Sequence, residues 1–170
     1  YRPNVEAVES FARQTLPAIR TVHPNARFAI VGRNPSKAVE ALAAQPGVIV
    51  TGGVPDVRGW LAAADIVVAP LRIARGIQNK VLEAMAMARP VVASPQAAEG
   101  IDAQDEMHFL IAANPAEEAA KINALLADPA RAAQLGIAAR ARMEARYRWS
   151  ATLAQLPDLL FGREADSRAA

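Results

Sequence analysis

The sequence predicts an α/β domain: a Rossmann-like parallel sheet with helices on both faces. Two observations predict it. Short, continuously apolar runs such as Phe28-Ala29-Ile30-Val31 and Val91-Val92-Ala93 recur without the polar alternation of a half-wet sheet. Stretches with helical spacing of apolar residues separate those runs, which calls for crossover connections and parallel strands. The 170 residues are 52% hydrophobic with a net charge of +2, so a packed core is affordable and bulk disorder is not expected.

The elements follow in order. Val5, Val8, Phe11, Ala12, Leu16 and Ile19 keep helical spacing, with Asn4 as the expected N-cap and Pro17 expected to kink or shorten the helix near its end. Arg27 to Gly32 reads as a buried strand entering a turn. Pro35-Ser36 starts a short helix over Lys37 to Ala44. Gly47 to Thr51 is a second strand and Gly52 to Asp56 a turn. A helix follows around Val57 to Ala64, then a strand over Asp65 to Ala69, stopped by Pro70. Asn79 to Ala88 reads as a helix, Pro90 to Ser94 as a strand, and Met107 to Ile111 as a last short strand. Helices over Pro115 to Leu126 and Pro129 to Tyr147 precede a terminal one from about Trp149. Residues 1–161 form one expected domain, and 162–170 a frayed tail. The opening on Tyr1 rather than Met suggests a piece of a longer protein.

Composition removes several functions. With no cysteine there is no disulfide scaffold or thiolate metal site, and His23 and His108 stand too far apart in sequence to suggest a histidine cluster. No apolar run approaches the ~20 residues that cross a bilayer, and no secretion signal opens the chain, so a cytoplasmic location is expected. Aromatic residues are only 5%, with no basic-aromatic stretch, which argues against nucleic acid as a partner.

In such sheets a ligand sits beyond the carboxyl ends of the strands. The segments of interest are therefore Gly32-Arg33-Asn34, Gly52 to Asp56, and Pro70 to Asn79. The helix after the third segment is apolar nearly all round, and Lys80 and Glu83 are its only charged residues. They share a face near its start, where the macrodipole favours an ionised Glu83 that only accepts hydrogen bonds, as paired ribose hydroxyls require. Gly76 lets the backbone approach closely, and the free amides of the first turn suit a diphosphate. A plainer role for Glu83 as a cap fails the Ser/Thr rule of the capping box. A buried Lys80–Glu83 pair would cost desolvation with no evident return.

The stretch Gly76-Ile77-Gln78-Asn79-Lys80-Val81-Leu82-Glu83-Ala84-Met85-Ala86, with Arg89-Pro90-Val91-Val92-Ala93-Ser94, resembles group 1 (family 4) glycosyltransferases of the GT-B fold. Ile30-Val31-Gly32, the Gly53-Val54-Pro55-Asp56 turn and Leu61 to Pro70 support the likeness. Bacterial sugar transferases of exopolysaccharide or PEP-CTERM-associated systems are the most similar. The resemblance spans nearly the whole chain and implies the C-terminal, nucleotide-sugar-binding lobe of a retaining enzyme that binds no metal. No cofactor is implied, the nucleotide-diphosphate sugar being the donor substrate. The acceptor, a glycan or lipid-linked sugar in polysaccharide biosynthesis, would bind through an N-terminal lobe. The resemblance assigns Glu83 to the ribose hydroxyls, Gly76, Ile77, Gln78, Asn79 and Lys80 to the diphosphate or sugar, Val54 and Pro55 to the base, and Gly32 to the cleft floor.

This sequence departs from the family pattern. The family often has a second glutamate eight positions before the ribose one, and Arg75 stands there instead, a cation suited to phosphate. The usual Arg and Lys after the lobe's first strand are unmatched: that strand would lie upstream of Tyr1, with Pro3 about where the Lys belongs. Lys80 and Arg75, with Arg72 as a further candidate, are expected to supply the catalytic positive charge on the departing diphosphate. Alone, the 170 residues are expected to bind nucleotide weakly and to catalyse nothing. A nucleotide-sugar epimerase of similar build, or a non-catalytic nucleotide- or partner-binding lobe, are the alternatives.

Other residues carry blander expectations. Arg33 reads as solvent-exposed, Trp60 as core, His23 and His108 as structural or surface residues, and Asp56, Glu99 and Asp102 as turn or cap residues, with a place lining the cleft as the alternative. Arg131, Arg140, Arg142, Arg146 and Arg148 read as a wet helix face, with peripheral contact to anionic lipid at the inner membrane as the alternative.

Overall fold

A computed structural model describes residues 2–148. The expected terminal helix from Trp149 and the tail 162–170 lie outside the described residues. In order the elements are α1 (Arg2–Ser10), a π-helical turn (Phe11–Thr15), α2 (Leu16–Val22), β1 (Phe28–Val31), α3 (Lys37–Ala41), a 3-10 turn (Leu42–Ala44) and β2 (Val48–Gly52). Then come α4 (Arg58–Ala63), β3 (Val67–Ala69), α5 (Asn79–Ala86), β4 (Val91–Ala93), α6 (Pro95–Ala98), β5 (Leu110–Ile111), α7 (Pro115–Ala127) and α8 (Pro129–Arg146). None of these helices is long and apolar enough to cross a membrane.

All strand pairs are parallel, as expected, but they fall into two groups: β1-β2, and β3-β4-β5. The three-stranded group is covered on both faces, which its alternating residues show. Val67, Ala69, Val91, Ala93, Phe109 and Ile111 join one apolar cluster with α5 and α8, while Val68, Val92, Leu110 and Ala112 join another with the π turn, α2 and α7. Every second side chain points the other way, so a strand apolar throughout serves two cores. In β1-β2 only Phe28, Ile30, Val48 and Val50 enter a cluster, and Ala29 on the opposite face is exposed. Cover on both faces is therefore confined, among the described residues, to β3-β4-β5.

Three expectations change here. Asn4 is not an N-cap, because α1 already begins at Arg2. Pro17 does not end its helix, and helical backbone runs on to Val22. The π turn explains this: the Leu16 amide reaches back five residues to the Phe11 carbonyl, widening the turn just ahead of the ring that would otherwise meet the carbonyl four residues earlier. Trp60 is not core but 37% exposed, on a helix in which no residue is buried.

The π turn also carries a buried polar link. Thr15, fully buried, donates its hydroxyl to Glu118 of α7 at 2.7 Å. Burial raises the Glu118 pKa, while the Thr15 hydrogen bond and the charge of Arg72 pull it back.

Candidate functional site

The turns at the carboxyl ends of β1 and β2 interlock. The Gly32 amide donates to the Gly52 carbonyl at 3.2 Å, and Asn34 and Gly52 both take left-handed conformations, with φ of 52° and 68°. A β-carbon on Gly53 would lie 2.9 Å from Cγ of Arg33, so the arginine stem rests on a surface that only glycine leaves free. Val54 is half-buried beside it and Pro55 is exposed. Asp56 accepts from the Arg58 amide and side chain, and those bonds hold its carboxyl below the usual pKa. It ends the turn into α4, the plain role expected of it.

Beyond β3, the loop into α5 carries the candidate diphosphate site. Gly76 has φ 65°, a left-handed turn that Gln78 tightens by donating its side-chain amide to the carbonyls of Arg75 and Gly76, each at 3.2 Å. No side chain caps α5: the Val81 amide bonds to the Gln78 carbonyl at 2.9 Å, which leaves the Asn79 and Lys80 amides without a partner among the described residues. The helix is held by Val81, Ala84 and Met85, all fully buried, while Asn79, Lys80 and Glu83 on the other side are exposed.

Lys80 does not pair with Glu83. Its ammonium donates to Asn4 Oδ1 of α1 at 2.9 Å. The side chain stays open to a ligand, yet lost hydration around the ammonium pushes its pKa below the ordinary lysine value. Glu83 is the fifth residue of α5, one turn beyond the strongest dipole field, so the macrodipole argument for it weakens. Its carboxylate makes no hydrogen bond or ion pair among the described residues, and it remains a free acceptor. Arg72 departs from expectation: its guanidinium turns to Ser10 Oγ at 3.2 Å and toward Glu118, and away from α5. Arg75 is exposed on the loop itself.

A second loop, after β4, lies beside the one that enters α5, and the sequence pointed to it only through Glu99 and Asp102 as candidate cleft residues. Ser94 is buried; its hydroxyl donates to the Leu71 carbonyl at 2.6 Å and accepts from the Ala97 amide at 3.1 Å. One side chain thus starts α6 and ties the two loops together. Gly100, at φ 81°, lies against Gly76 and Ile77: a β-carbon added there would sit 3.9 Å from the Gly76 carbonyl carbon. The available signals were the Ser94-Pro95 helix start and the Glu99-Gly100 turn, but neither reveals a contact across 24 residues of sequence. Asp102 does not border the cleft. It binds Arg142 and Arg146 of α8, and its amide donates to the Tyr147 hydroxyl at 2.8 Å, which fastens the loop to that helix. His108 accepts from the Gln104 amide, and burial lowers its pKa, which favours the neutral ring. The arginines of α8 and Arg148 just beyond it outnumber their acids: Arg131 shares Glu106 with Lys121, Arg140 and Arg148 share Glu144, and Arg142 and Arg146 share Asp102.

A family model described as glycosyl transferases group 1 matches residues 1–128. The chain belongs to that family. Several group 1 and other glycosyltransferase structures share its fold. Anabaena HepE in complex with UDP aligns at TM-score 0.73 and 20% identity, over 87% of this chain and 44% of its own. The C-terminal domain of the Francisella tularensis group 1 protein LpcC aligns at 0.65 and 18%, over 83% and 82%. Sucrose-phosphate synthase of Thermosynechococcus elongatus aligns at 0.68 and 24%, over 89% and 43%. The chain spans less than half of the Anabaena and Thermosynechococcus proteins and most of the isolated LpcC domain. At these identities the likeness shows the fold, the Rossmann-like lobe of GT-B glycosyltransferases. No protein of curated description matches the sequence.

Proposed function

We propose that this group 1 glycosyltransferase lobe binds the nucleotide sugar of a retaining, metal-independent transferase, whose acceptor lobe precedes residue 1. The observation that carries the reading is the entrance of α5: uncapped amides, the partly dehydrated Lys80 ammonium and the Gly76 turn converge where strands end. A diphosphate needs donors and positive charge, and the entrance of α5 offers both. Lys80 and Arg75 stabilise the leaving diphosphate. The amides of Asn79 and Lys80, with Gly76, Ile77 and Gln78, line it. Glu83 accepts from the ribose hydroxyls, Val54 and Pro55 receive the base, and Gly32 floors the cleft. HepE, which shares this fold and is found in complex with UDP, supports a nucleotide ligand.

The acceptor is a glycan or lipid-linked sugar of polysaccharide synthesis, of the kind handled by exopolysaccharide and PEP-CTERM-associated transferases, and the enzyme works in the cytoplasm. Arg131, Arg140, Arg142, Arg146 and Arg148 share three acids, so that face keeps net positive charge, and peripheral contact with anionic lipid is the second reading there. Calorimetry with UDP, GDP and ADP tests the reading. One of the three binds the wild type, and Glu83→Ala weakens it about tenfold, the worth of charge-assisted hydrogen bonds. Unchanged affinity in the variant would remove the ribose role.

A further inference from the structure

We infer that Glu99 is the residue that reads the donor's sugar. The inference deepens the donor-lobe reading above and rests on it. The mouth framed by Gly76 and Gly100 is rich in donors: the α5 amides, Lys80 and Arg75. A sugar ring offers hydroxyls that must themselves donate, so its recognition needs acceptors, and a carboxylate accepts most strongly. Glu83 is committed to the ribose. Glu99 is exposed and immediately precedes Gly100, where an added β-carbon would come within 3.9 to 4.0 Å of Gly76 and Ile77.

The frame around Glu99 is rigid although its own side chain is not engaged. Ala98 and Ile101 on either side are buried, Ser94 pins the start of α6 to Leu71, and the Glu99 amide bonds back to the Pro95 carbonyl. Its carboxylate makes no hydrogen bond or ion pair among the described residues. A structural role is a poor explanation, because the residue closes α6 at its carboxyl end, where negative charge is mildly unfavourable. Glu99 also stands on the rim of an open hollow of about 440 Å³ whose wall includes Ala103, Phe109 and Ile111. That space is ample for one pyranose ring, and apolar walls suit the ring's C–H faces. The ligand class is the hexosyl group of a nucleotide sugar, held by hydroxyl donation to Glu99.

The test compares each diphosphate with its sugar conjugate, UDP with UDP-glucose and GDP with GDP-mannose, by calorimetry on the full-length protein. In the wild type one conjugate binds more tightly than its bare diphosphate. Glu99→Gln keeps shape and loses charge: diphosphate affinity stays within about twofold, and conjugate affinity falls about tenfold. Glu99→Ala does the same, and KM for the donor rises. Equal weakening of both ligands, or of neither, overturns the inference and leaves the donor-lobe reading standing. A wild type that gains nothing from the sugar in either pair also overturns it. A wild type that binds no diphosphate sinks both.

Discussion

Among the described residues the ammonium of Lys80 has one partner, the amide oxygen of Asn4, and partial desolvation holds its pKa below the ordinary lysine value. Because its pKa is lowered, it sheds its proton at a lower pH than an ordinary lysine. Diphosphate affinity is then full on the acid side of that pKa and falls as the pH rises through it. Lys80→Arg, whose guanidinium keeps its charge, flattens this decline between about pH 7 and 10, and Lys80→Met weakens binding throughout. Calorimetry with UDP across that range checks it; a wild-type profile as flat as that of the arginine variant would show that Lys80 does not meet the phosphates. The residue pattern around Lys80 and Glu83 was legible because a helix with only two charges advertises them. The partner of Lys80 was not, since Asn4 read as a cap for its own helix, and only folding brings α1 beside α5.

Among the elements, α6 shows how a four-residue helix fixes a site. Ser94 supplies its N-cap and, through the same oxygen, donates to the loop that follows β3. Ser94→Ala removes the cap and leaves the Leu71 carbonyl without its side-chain donor in a buried setting. The expected loss of stability is about 2 to 3 kcal/mol, above the ~1 kcal/mol of a cap alone. Urea unfolding measures it, and a loss no greater than the cap's would show that the link between the loops contributes nothing. The strands themselves were readable, since runs such as Val91-Val92-Ala93 have no polar face to hide. Pro17 read as kinking or shortening the first helix near its end, and nothing in the residues around it signals that Phe11–Thr15 will widen into a π turn that accommodates the ring.

For the whole molecule, the arrangement of sheets has a consequence for stability. β1 pairs only with β2, and β3 only with β4, so each presents one edge without a strand partner among the described residues. The first helical unit bridges them: Ala7 packs with β3, and Phe11, Ala12 and Leu16 pack with both β1-β2 and the β4-β5 side. A doubly wound sheet in which the first strand lies at the centre would have its remaining strands in this order, with a place for one more between β1 and β3. Apolar runs report burial and say nothing about which edges meet, so a first strand upstream of Tyr1 was expected only through the family resemblance. A strand ahead of α1 would satisfy both rows of backbone groups, and unpaired edges are also where chains associate wrongly. If such a strand precedes residue 1, the protein that carries it is expected to melt about 5 °C or more above the 170-residue chain, and to remain monomeric at concentrations where the shorter chain associates. Calorimetric melting and light scattering on the two lengths decide it. Equal melting temperatures and equal association would mean that β1 and β3 need no strand between them.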